Sequence, residues 1–102
     1  MPYYNAGIVR ETLTIPAGGA AQTEVDCYSF GPLPGPMALD TLVGAGSPLQ
    51  FAFDRKSCTN GDKVTMTVSV KQGAPRGPRH YTLLASLGKE SAHYWRGLVN
   101  VQ

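Results

Sequence analysis

Charge is scarce in this sequence: Asp, Glu, Lys and Arg make up only 16% of the 102 residues, and the net charge is +2. The nine Lys and Arg residues are spread along the chain and form no block, so the electrostatic footprint of a nucleic-acid binder is missing. No apolar run reaches the roughly 18 residues that a membrane-spanning helix needs, and no membrane partner is expected. The opening MPYYNAGIVRE has neither the basic start nor the apolar stretch of a secretory signal. Either such a signal was removed and a start Met added, or the chain was not exported by that route.

Reactive side chains are few as well. The two histidines, His80 and His93, lack the His-x-His or His-x-x-x-His spacing that puts two imidazoles on one metal. Cys27 and Cys58 form no C-x-x-C pair, which argues against zinc, and neither lies in a Gly-rich or charged setting that favours a thiolate. The acids are scattered, and Asp26, Asp40 and Asp54 fall at strand ends, where solvated turn roles are commoner than acid-base pairs. We therefore expect no enzyme, no cofactor and no metal.

What the sequence does contain is apolar residues (42%) together with 12 Gly and 8 Pro. That composition folds into one core with frequent turns and little helix, and the length fits a single domain over residues 1–102. Two-residue periodicity recurs along the chain. Residues 8–15 (IVRETLTI) read as one strand with Val9, Leu13 and Ile15 inward, its apolar side broken by Glu11. AAQTEVDCYSF, ALDTLV and LQFAFD read as the next three, with the stiff loop GPLPGP between the first and second of these. KVTMTVSV alternates most cleanly; HYTLLASL and AHYWRGLVNV follow, the last with His93, Trp95, Gly97, Val99 and Val101 on one face. Seven strands with turns at short intervals predict an all-β, two-sheet antiparallel sandwich.

The segment GDKVTMTVSVKQGAPRGPRHYTLLASLGKESAHYWRGLVNVQ, residues 61–102, resembles the closing strands of bacterial and phage immunoglobulin-like domains. Those commonly run G-x-x-V-T-x-T-V-x-V, a short A-P-x-G turn, Y-T-L-x-V and a final strand. This chain departs from the pattern at Pro78, Arg79 and His80, read here as a longer, basic turn. The resemblance implies an immunoglobulin-like sandwich with a non-catalytic role and names no ligand.

In such a sandwich the strands ending near Cys27 and starting after Cys58 are antiparallel neighbours, which favours a Cys27–Cys58 disulfide over two free buried thiols. Trp95 is expected as a core anchor; a register one residue off would instead expose it and bury Tyr94. Arg76, Arg79 and His80 form the one local basic cluster, either a solvated loop or a contact with an acidic patch on a neighbour. Tyr3 and Tyr4 lie in a segment, residues 1–7, read as a docking arm or a frayed end. These residues, with Trp95, are the candidate contacts for a protein partner or self-assembly.

Two functions follow as expectations. The first is a subunit or decoration-type protein of a larger extracellular assembly, with a phage virion as the leading case. The second is an accessory spacer or carbohydrate-binding domain of a secreted enzyme or adhesin. A protease inhibitor presenting GPLPGP is a weaker third.

Overall fold

The computed structural model describes residues 3–89 and 92–102. Nine strands follow one another along the chain: β1 (Tyr3–Ile8), β2 (Thr12–Ile15), β3 (Ala20–Phe30), β4 (Met37–Leu42), β5 (Leu49–Phe53), β6 (Ser57–Cys58), β7 (Lys63–Val70), β8 (Gly77–Ser86) and β9 (His93–Val101). They form a four-stranded sheet, β1-β3-β7-β5, and a five-stranded sheet, β2-β9-β8-β4-β6. Setting aside the short β2 and β6 leaves the seven-strand immunoglobulin-like arrangement, with β1, β3, β7 and β5 facing β9, β8 and β4. No helix occurs among the described residues.

Alternation places the core where the sequence reading put it. On β7, Val64, Met66, Val68 and Val70 are buried while Thr65, Thr67 and Ser69 lie on the other face. Val25, Thr23 and Ala21 of β3 lie opposite Val64, Met66 and Val68, so three inward side chains stack on three. The facing sheet contributes Leu13, Ile15, Met37, Leu39, Tyr81, Leu83, Ala85, Val99 and Val101, all buried. One hydrophobic layer therefore joins the sheets, as two half-apolar faces require.

The first departure from the expectation is at residues 8–15, which do not form one strand. β1 pairs antiparallel with β3, whereas β2 pairs parallel with β9 in the other sheet. The chain crosses between sheets at Val9, Arg10 and Glu11. There the Arg10 N–H donates to the buried Thr23 Oγ1 at 2.9 Å, and the Glu11 carbonyl accepts from the Leu98 N–H at 2.7 Å. Val9, expected inward, is consequently 55% exposed. Backbone groups that leave one ladder must be satisfied elsewhere, and here one threonine hydroxyl and the edge of β9 do so.

The second departure is the N-terminal segment. Tyr3 to Ile8 are no arm: they form the edge strand β1, with Tyr4, Ala6 and Ile8 buried. Met1 and Pro2 of the expected arm lie outside the described residues. The third is the expected basic turn. Gly77 to His80 belong to β8 and pair with Val101 to Leu98 of β9. Pro78 is tolerated in this strand because β4 pairs with β8 only from Thr82 onward, leaving one side of β8 without a neighbour there.

Candidate interaction surfaces

Termini and loops divide between the two ends of the sandwich, whose long dimension is 44 Å. At one end, Tyr3 opens β1 directly opposite Phe30, which closes β3, and Tyr28 sits two residues before Phe30 on the same outward face. The three rings cluster: Tyr3 stacks on Phe30 at 5.8 Å and meets Tyr28 at 6.2 Å. His93, at the start of β9, closes the group, edge-on to Tyr3 at 5.4 Å and against Tyr4 at 4.3 Å. Burial, followed by a hydrogen bond with Tyr3, pushes the Tyr28 phenol above its ordinary pKa. Phe30 is nevertheless 71% exposed and Tyr3 45%, so among the described residues these apolar rings have little cover.

Beside this cluster the GPLPGP loop and the 59–62 turn enclose an open crevice of about 550 Å³, lined by Ser29, Gly31, Leu33, Pro36, Thr59 and Asn60. Leu33 packs its side chain against the core and anchors the loop. The turn is tied to β3 by three bonds: Ser29 N–H to Asn60 Oδ1, Gly61 N–H to the Cys27 carbonyl and Cys27 N–H to the Asp62 carbonyl, at 2.8–2.9 Å. Gly61 takes φ 91°, a conformation that a side chain resists. The Thr59 N–H holds the Asp62 carboxyl below the usual range against an opposing effect of burial, with smaller help from the Arg55 guanidinium and the Thr59 hydroxyl.

Cys27 and Cys58 form a disulfide, with Cα atoms 6.4 Å apart. The pairing agrees with the expectation, but its geometry differs. Cys58 sits on β6, opposite Met37 of β4, so the bridge joins the two sheets instead of two neighbours within one. Residues 54–58 cross to the far edge of the five-stranded sheet before β7 begins, a detour too short to show as a periodic strand.

Trp95 keeps the expected register. Its ring packs against the core and lies over Gly7, while Nε1 donates to Glu11 Oε2 at 2.6 Å. The acid that interrupts the apolar side of residues 8–15 is thus the partner of the indole. Tyr94 points the other way and is 67% exposed. Next to them, Tyr81 is buried across Gly97, its hydroxyl without a hydrogen-bond partner among the described residues, and burial followed by the negative charge of Glu11 pushes its pKa up to about 12.

Arg76, Arg79 and His80 lie at the opposite end from Tyr3, beside the C-terminal residues of β9. Strand parity turns two of them in different directions. Because 77–80 is strand, His80 faces outward while Arg79 shares the parity of buried Tyr81, and Arg76 stays in the preceding loop. The outer face of the five-stranded sheet instead collects Tyr94 and Arg96 from β9, Leu84 and Thr82 from β8, and Asp40 and Leu42 from β4.

By sequence, the chain matches no family model and no curated protein. By structure it is similar to domains of the S-layer protein SbsC. It superposes on a crystal structure of domains 4 and 5 with a TM-score of 0.69 at 13% identity, covering 99% of this chain and 53% of that one. On domains 5–6 the score is 0.70 at 13% identity, with 100% and 45% covered. This chain therefore spans about half of each two-domain fragment. A Bacteroides ovatus GH5 xyloglucanase in complex with a XXXG heptasaccharide also matches, with a TM-score of 0.54, 12% identity, and 98% and 19% covered. At such identity the likeness is one of fold.

Sequence reasoning singled out Tyr3 and Tyr4 but missed Tyr28, Phe30 and the outer-face residues Asp40, Leu42, Leu84 and Arg96. The signal for Tyr28 and Phe30 was present, since both fall on the outward parity of β3. An apolar residue at an outward position is informative only once its neighbours on the adjacent strand are known.

Proposed function

We propose that this chain is a non-catalytic structural module of an extracellular assembly, making end contacts with neighbouring modules. The observation that carries the reading is the superposition of essentially the whole chain on single domains of an S-layer protein, at a TM-score of 0.70. Two features support it. Tyr3 and Val101 lie at opposite ends of the sandwich, which suits modules strung in a line, and the exposed Tyr3 and Phe30 rings, with half-buried Tyr28 beside them, offer an apolar contact at one of those ends. A disulfide between the sheets fits an oxidising compartment.

A cell-surface layer and a phage virion are two forms of such an assembly, the second being the one that the resemblance of residues 61–102 brings to the fore. Immunogold labelling of native cells, and of particles banded on a density gradient, separates them. Label on the cell envelope or on particles supports the reading; a chain confined to the soluble cell interior with reduced cysteines refutes it.

Carbohydrate binding is the reading that the exposed aromatics and the xyloglucanase likeness would favour. Ring geometry weighs against it: Tyr3, Tyr28 and Phe30 meet at interplanar angles of 26°, 43° and 68°, and no flat platform for a sugar face results. A glycan array tests this directly, and specific binding lost in Phe30→Ala would reinstate the accessory-domain reading. A protease inhibitor needs a protruding loop, whereas Leu33 holds GPLPGP down on the core.

A further inference from the structure

We infer that the outer face of the five-stranded sheet is a self-complementary surface that pairs with the same face of a second copy of this chain. The register of three strands carries the argument. In one row across the sheet stand Tyr94, Leu84 and Asp40; in the next stand Arg96, Thr82 and Leu42. Tyr94 and Leu42 are 67% and 60% exposed, Asp40 and Arg96 are exposed, and Leu84 and Thr82 lie half-buried between them. One diagonal of this grid is therefore apolar, running from Tyr94 through the centre to Leu42. The other diagonal ends in an acid and a base.

Asp40 and Arg96 cannot serve each other within one chain. Two strand spacings and one two-residue repeat separate them, roughly 12 Å. Arg96 has no ion-pair or hydrogen-bond partner among the described residues, and the Asp40 carboxylate accepts only the N–H of Thr41. A two-fold axis lying in the interface along the apolar diagonal changes this. It sets Tyr94 near its own copy, Leu42 near its own copy, and each Arg96 close to the other chain's Asp40, giving two symmetric ion pairs around an apolar centre. That is the residue-i-to-j, residue-j-to-i pattern that an isologous interface demands. With the same strand spacings, the strands of the two copies cross at roughly 70°, near the orthogonal class of sheet packing.

The size is adequate for a reversible dimer. Strands of nine, ten, six, four and two residues, at about 4.8 by 3.4 Å per residue, give a face of roughly 500 Å², below the ~800 Å² per partner of an ordinary stable interface and in the range of weak, dissociable contacts. The pairing is independent of the end contacts, since the face lies along the flank of the sandwich, and the chain can be tested without its native assembly.

The experiment is sedimentation equilibrium of the purified chain from about 5 to 500 µM, where mass action makes dimerisation visible. Wild type is expected to form a dimer that dissociates on dilution. Asp40→Arg and Arg96→Glu each bring like charges together and should raise the dissociation constant about tenfold or more, while the double variant carrying both changes should recover wild-type association. Circular dichroism and thermal unfolding check that these exposed substitutions leave the fold intact. A wild type that stays monomeric throughout overturns the inference and leaves the face to a different partner. A dimer indifferent to the single reversals, or weakened by them and not recovered in the double variant, overturns it as well.

Discussion

Gly97→Ala tests the packing account most sharply. Gly97 stands directly opposite Tyr81 in the β8–β9 ladder, and the tyrosine ring crosses the space where a Cβ would be. A methyl built there comes within 2.5 Å of Tyr81 Cε1 and Oη and closer still to Cζ. Carbon atoms in contact normally sit about 3.5–4 Å apart, so the ring must retreat by an ångström or more. It has little room to do so, because Phe51 packs on it at 5.0 Å and its hydroxyl is already buried. Overpacking of this kind costs about 1–3 kcal/mol, and displacing the ring forfeits part of its burial, so we expect a loss of about 3 kcal/mol. At ~2.1 cal/mol/K per residue, that lowers Tm by roughly 14 °C. Urea unfolding followed by Trp95 fluorescence measures it. In a Tyr81→Ala background the same Gly97→Ala change should cost under ~1 kcal/mol, since its obstacle has gone. A single variant within ~0.5 kcal/mol of wild type, or equal costs in both backgrounds, would refute the reasoning.

The remaining predictions concern other parts of the molecule. Replacing Cys27 and Cys58 together with Ala opens a loop closed over a sequence separation of 31 and should cost about 3.5 kcal/mol, lowering Tm by roughly 16 °C in scanning calorimetry. Thr23→Val removes the acceptor of the Arg10 N–H at the sheet crossing and should destabilise by about 1–2 kcal/mol, with amide exchange accelerating at Arg10 before the rest of β1. Tyr81 has a folded pKa raised to about 12 against 10 when unfolded, so its contribution is complete below pH 10 and is lost as pH rises towards 12. Chemical unfolding from pH 9 to 12 should show a decline of up to ~2.5 kcal/mol that Tyr81→Phe reduces. Asp62 has a lowered pKa, so its contribution is present above about pH 3.8 and disappears as pH falls through the folded value; Asp62→Asn should flatten that acid limb of the stability curve.

The strands that formed as expected share a cause. KVTMTVSV and the first half of HYTLLASL alternate strictly because one face is buried, and a one-residue slip would expose every core side chain at once. Cys27 and Cys58 were likewise paired from the sequence through the family resemblance. What stayed illegible involves a change of neighbour. Residues 8–15 carry a strand-like pattern throughout, yet the chain changes sheets at Arg10, because Thr23 offers an acceptor thirteen positions away. Ser57 and Cys58 form a two-residue strand, too short for any period.

The candidate surfaces divide in the same way. Parity alone assigned Trp95 inward and Tyr94 outward, and the composition alone argued against a charged or membrane-bound function. The Tyr3, Tyr28 and Phe30 cluster arises from β1 lying beside β3, and the Asp40 and Arg96 arrangement from β4, β8 and β9 lying side by side in a fixed register. Periodicity is a local property, so the sequence by itself determined which side chains face in and which face out. Strand order and register are set by contacts between residues distant along the chain, so only the tertiary structure decided which outward side chains stand together.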